Sequence, residues 1–106
     1  MNGQSTQLFN HMWLTGFCSA LLQKMAIPRQ DADLVATSLV QANLRGVDSH
    51  GVARLTIYME RLKRNLVNPR PKITVLKESP ATALVDGDNG SGQVVAKMGM
   101  ELAMTK

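Results

Sequence analysis

Gly46-Val47-Asp48-Ser49-His50-Gly51-Val52-Ala53-Arg54 is the stretch that decides how the chain is read, because it places a glycine-flanked break between two amphipathic segments. His50 and Arg54 stand one helical turn apart across it, and Tyr58 falls one turn further on. The spacing therefore puts an imidazole, a guanidinium and a phenol on one helix face.

On the downstream side, Asp48 or Ser49 can cap a third helix whose Val52, Leu55, Met59, Leu62 and Leu66 alternate steps of three and four. At 100° per residue this apolar stripe centres roughly 120° from the face of His50, Arg54 and Tyr58. Packing takes one side of the helix, and the polar trio is left on a flank. At the first turn of such a helix, exposed N–H groups favour anions and keep a histidine neutral, able to exchange a proton near physiological pH. Arg54 offers a planar fork for a carboxylate, and Tyr58 extends the polar wall. The trio suits a small acid with a carbonyl or hydroxyl beside its carboxylate. From spacing alone, a surface histidine near a helix start beside solvated arginines is the favoured reading.

Upstream, Phe9, Met12, Trp13, Phe17, Ala20 and Leu21 recur at helical spacing, which predicts a first helix from Ser5 to Met25 with these residues as its buried stripe. Ile27-Pro28 ends it. A second helix follows the Arg29-Gln30-Asp31 turn and carries Leu34, Val35, Leu39 and Ala42 to a stop at Gly46. After Asn68-Pro69-Arg70-Pro71 the pattern changes to two short strands, around Ile73 and Val75 and from Ala83 to Val85, which pair as a β-hairpin. Asp86 to Gly92 is a turn-rich loop, and Val94, Val95, Met98, Leu102 and Ala103 begin a fourth helix that meets Lys106 without a stop signal. The fold class is α/β, α+β within this segment. Residues 5–67 form a helical unit, and 70–106 supply strands plus a helix.

Composition narrows the partners. The chain has 106 residues, of which 44 % are hydrophobic and 4 % aromatic, enough for one small aliphatic core. Twelve Lys+Arg against eight Asp+Glu give a formal +4, which admits anionic metabolites or nucleic acid. Ala42, Gly46, Val52 and Leu55 also fit a helix-turn-helix, with His50, Ala53 and Arg54 as base-reading residues, so a DNA-binding domain is the alternative. Cys18 is the single cysteine. It excludes an intrachain disulfide, reads as a buried thiol and fits the cytoplasm. No leader or membrane-spanning run is legible, and no metal-ligand cluster exists. The Gly87-x-x-Gly90-x-Gly92 loop sits between strand and helix as a phosphate cradle would, but its glycine order is not the dinucleotide fingerprint and Asp86 and Asp88 would repel phosphate.

The string from Ala42 through Leu55, followed by Tyr58 and by Val85-Asp86-Gly87-Asp88-Asn89-Gly90-Ser91-Gly92-Gln93, resembles the type-2 malate/L-lactate dehydrogenase family. The resemblance covers nearly the whole chain as the N-terminal third or so of such an enzyme. It implies a cytoplasmic, homodimeric oxidoreductase that moves a hydride between NAD or NADP and a small 2-hydroxy or 2-oxo acid, on a nicotinamide fold that is not a Rossmann domain. It implies that His50 exchanges the proton, Ser49 orients it, Arg54 holds the carboxylate and Tyr58 touches substrate. Most cofactor-binding residues, and a downstream histidine with the acid–base role in some members, are expected beyond Lys106. The segment alone is expected to be inactive, with no nucleic acid or membrane as partner.

Overall fold

A computed structural model describes residues 9–106. Its elements are α1 (His11–Lys24), α2 (Arg29–Leu44), two 3₁₀ turns (Asp48–His50 and Val52–Arg54), α3 (Leu55–Lys63), β1 (Thr74–Glu78), β2 (Ala83–Asp86) and α4 (Gly92–Met104). Among the described residues the fold is helical with one two-stranded antiparallel sheet.

Helix α1 starts where Asn10 Oδ1 accepts from the amides of Met12 and Trp13, at 2.9 and 3.2 Å. That side-chain cap satisfies two otherwise orphaned donors. The expected start at Ser5 lies outside the described residues, but Phe9 and Asn10 precede the helix rather than continuing it. The expected buried stripe is also corrected. Phe9, Met12, Trp13 and Phe17 are 53, 72, 56 and 48 % exposed, and Ala20 is exposed too. The aromatic rings satisfy one another instead: Phe9 stacks on Trp13 and Trp13 on Phe17, with centroids 5.6 and 5.3 Å apart. The face that packs carries Cys18, Ser19 and Leu22, flanked by half-buried Leu14, Leu21 and Met25.

Three helices end in the same way. After α1 the amides of Ala26 and Ile27 return to the carbonyls of Gln23 and Leu22; after α2 those of Gly46 and Val47 return to Asn43 and Ala42; after α3 those of Asn65 and Leu66 return to Leu62 and Arg61. The hinge residues Ala26, Gly46 and Asn65 all adopt positive φ, at 72, 79 and 57°. This is the Schellman arrangement, which satisfies the last carbonyls by turning one residue left-handed. It ends α3 before Leu66, so Leu66 leaves the expected apolar stripe and is 56 % exposed.

The core lies where α1, α2 and α3 meet. Cys18 and Leu22 face Ala32, Val35, Ala36 and Leu39 of α2, with Ile27, Leu55 and Leu62 closing it. The alanines leave room for α1 to approach α2 closely. Buried Ser19 donates to Asp33 Oδ1 and accepts from Gln23 Nε2, so its hydroxyl is not stranded.

Strand β1 pairs with β2 from Thr74↔Asp86 to Glu78↔Ala83, with a bulge between Val75 and Lys77. The hairpin forms as expected. Asp88 Oδ2 accepts from the Lys72 amide and Asn68 Nδ2, and Asp86 Oδ1 from the Asp88 amide. The acids of the glycine loop thus hold the turn together. Helix α4 packs on α2, half-buried Val94 reaches the core, and Lys106 Nζ ties its end to Glu78 at 2.8 Å.

Candidate functional site

The stretch from Gly46 to Arg54 departs from the single helix expected there. Asp48–His50 and Val52–Arg54 are separate 3₁₀ turns, parted by Gly51 in an extended conformation with φ −95° and ψ −151°. Each turn closes with short-range bonds: the His50 amide to the Val47 carbonyl at 3.1 Å, Gly51 to Asp48 at 3.2 Å, Arg54 to Gly51 at 2.9 Å. Neither Asp48 nor Ser49 caps an α-helix, and α3 begins only at Leu55. His50 therefore does not share a helical face with Arg54 and Tyr58. It stands on an exposed turn ahead of them, clear of any α-helix N-terminus.

Arg54 and Tyr58 do meet. The Arg54 guanidinium carbon lies 5.9 Å from the centre of the Tyr58 ring, within range of a cation–π attraction. Both are half-buried. They line a groove of about 570 Å³ whose apolar wall includes Leu22, Ile27, Val35 and Leu62, and whose polar rim adds Arg61, Ser91 and Gln93. Gln93 Nε2 donates to the Tyr58 hydroxyl at 3.2 Å, and Ser91 Oγ donates to Gln93 Oε1 at 2.8 Å. Among the described residues no acceptor takes the phenolic proton of Tyr58. Arg54 and Arg61 take part in none of the ion pairs found among the described residues. A pair of guanidiniums on a largely apolar groove is an arrangement that draws a small carboxylate.

Ser49 and His50 lie outside that groove lining. Ser49 Oγ is 2.9 Å from His50 Nδ1, and Nε2 has no hydrogen-bond partner among the described residues. Residue spacing also missed Asn43, whose side chain reaches across to Asp48 and Val52. It missed Ser91 and Gln93 as well. Gln93 meets Tyr58 from 35 residues away, a distance that no local pattern reports.

The glycine loop is a poor cradle for a dinucleotide. Asp86 and Asp88 occupy its inner hydrogen bonds, and a Cβ on Gly90 would come within 2.6 Å of the Pro71 ring. The space left open by that glycine is filled by protein rather than offered to phosphate. Among the described residues no helix is long and apolar enough to cross a membrane.

A family model described as malate/L-lactate dehydrogenase matches residues 9–106. An L-sulfolactate dehydrogenase from Methanocaldococcus jannaschii is 49 % identical over 86 residues, 81 % of this chain and 25 % of that protein. A malate dehydrogenase from Pyrococcus horikoshii is 48 % identical over 93 residues, 88 % of this chain and 26 % of that protein. The solved structure of a sulfolactate dehydrogenase from Methanocaldococcus jannaschii superposes with TM-score 0.90 at 41 % identity, covering 93 % of this chain and 29 % of that one. The chain thus spans about a quarter of the length of these relatives. None of these findings supports the helix-turn-helix alternative, and the broken segment from Asp48 to Arg54 lacks the continuous recognition helix that it requires.

Proposed function

The chain belongs to the malate/L-lactate dehydrogenase family, and on that premise we propose that it supplies the acid-binding side of an oxidoreductase that moves a hydride between NAD or NADP and a small 2-hydroxy or 2-oxo acid. Malate and lactate are examples of that acid. The two named relatives act, by their names, on malate and on sulfolactate. Both substrates carry a hydroxyl on the carbon next to a carboxylate.

The observation that carries the reading is the placement of Arg54 over Tyr58 on one groove with no competing carboxylate among the described ion pairs. Arg54 holds the substrate carboxylate by a charge-assisted fork. Tyr58, kept in place by Gln93, donates to a second substrate oxygen. His50 exchanges the proton that the substrate oxygen gains or loses as the neighbouring carbon changes oxidation state, with Ser49 fixing its ring. The glycine loop makes a poor cradle for the cofactor phosphates, so the proposed contribution of the described residues lies in binding and orienting the acid and handling its proton.

In the same reading, residues 1–106 are the N-terminal segment of a larger homodimeric dehydrogenase, inactive by itself, whose cofactor fold is not a Rossmann domain. A cytoplasmic setting fits the unpaired thiol of Cys18. The test is oxidation of NADH and NADPH by the full gene product that carries this chain, against a panel of 2-oxo acids that includes oxaloacetate, pyruvate and sulfopyruvate. Turnover of at least one supports the reading. No turnover with any of them, by folded protein and with either cofactor, overturns it.

A further inference from the structure

We propose that Asn43 is the positioning residue of the site: its carboxamide clamps the turn that carries His50 from both sides and so sets where His50 stands relative to Arg54. The inference rests on the roles given to those two residues above.

Asn43 sits in the last turn of α2, half-buried beneath the loop. Its Nδ2 donates to Asp48 Oδ1 at 2.8 Å, and its Oδ1 accepts from the Val52 amide at 2.8 Å. The two anchor points lie two residues before and two residues after His50. Between them Gly51 is buried, and a Cβ placed there would overlap the Asn43 carboxamide itself. Only a residue without a side chain lets the amide lie against this backbone.

The clamp matters because little else fixes the turn. Within it the backbone makes only short-range 3₁₀ bonds, whose geometry is poorer than that of an α-helix. The carboxamide also anchors the amide of Val52, which opens the second 3₁₀ turn leading into Arg54. One side chain thereby joins the end of α2, the His50 turn and the start of the Arg54 turn. Chemistry selects asparagine for this place, since one end must donate to a carboxylate while the other accepts from an N–H. Aspartate at position 43 would keep the acceptor for Val52 but set a second carboxylate against Asp48.

That asymmetry gives the test. In the full gene product, Asn43→Asp is expected to lower kcat/KM for the acid about tenfold or more, since small misplacements of reacting groups are costly. Asp48→Asn should act mildly, because the new amide oxygen still accepts from Asn43 Nδ2. The double variant Asn43→Asp with Asp48→Asn restores a donor–acceptor pair with the roles exchanged, and should recover most of the loss. Throughout, KM for the nicotinamide cofactor should stay near the wild-type value. Amide exchange of peptides spanning residues 47–54 reads the clamp apart from activity: faster in Asn43→Asp, recovered in the double variant. Wild-type kinetics and exchange in Asn43→Asp, or a double variant no better than that single one, would overturn the proposal. Inactive wild-type protein would remove the functional reading, and the exchange pattern alone would then decide whether the clamp exists.

Discussion

Arg54 and Tyr58 are joined face to cation, with the guanidinium carbon 5.9 Å from the ring centre. On the proposed reading, the ring thus holds the group that receives the substrate acid. Tyr58→Phe keeps the ring and loses the hydroxyl, with both its contact to Gln93 and the bond proposed to a substrate oxygen, so a moderate rise in KM is expected. Tyr58→Leu removes the π face as well. At about 0.5–1 kcal/mol for an exposed cation–π pair, KM for the acid should rise two- to fivefold beyond the effect of Tyr58→Phe. Steady-state kinetics of the two variants in the full gene product check this, and equal KM values would deny the ring its role.

The left-handed hinges after the helices make opposite predictions for two small residues. Gly46 has φ 79° with no atom near its missing Cβ, so Gly46→Ala should cost about 1–2 kcal/mol through backbone strain alone. Ala26 already bears that strain at φ 72°. Ala26→Gly relieves it and loses about 0.5–1 kcal/mol through added chain freedom, leaving a neutral or stabilising change. Thermal unfolding midpoints of the two variants should move in different directions, or the second should not move at all. A clear loss of stability in Ala26→Gly would contradict the account.

Cys18 is fully buried, and that burial pushes its thiol pKa up. A group whose folded pKa is raised favours folding fully below the unfolded value. Stability therefore falls as pH climbs from about 8.5, the ordinary thiol range, towards the folded value. At pH 8 a thiol reagent should modify the folded protein slowly at Cys18 and the denatured chain at once. Equal rates would show the thiol to be open to solvent.

How far the sequence spoke for the structure differs from element to element. The second helix and its stop at Gly46 were legible because proline, an early acid and a glycine are local punctuation. The hairpin was legible for a similar reason, although its bulge was not. Helix α1 was legible as a helix but not in its orientation. Two stripes at the same period competed there, and the more hydrophobic one, with Phe9, Trp13 and Phe17, is the one left exposed. The packed face contains Ser19, a polar residue that hydrophobic periodicity cannot flag and that Asp33 and Gln23 make affordable to bury. Residue spacing found Arg54 and Tyr58 together, but extended the helix through Gly51 to include His50. Asn43 bonds the Val52 amide from nine residues away, where the two 3₁₀ turns meet, and Gln93 reaches Tyr58 from 35 residues away. Such non-local partners leave no local signature.

The central claim is that this chain brings the proton-exchanging group and the acid-holding group to one substrate. The most direct test is turnover by the full gene product with His50→Ala, its folding verified by circular dichroism and by cofactor binding. A general acid–base residue contributes on the order of 10²–10⁴ in rate. The account predicts a fall in kcat of that size, with KM for the acid changed far less because Arg54 remains in place. A folded His50→Ala enzyme that keeps near wild-type kcat would contradict it.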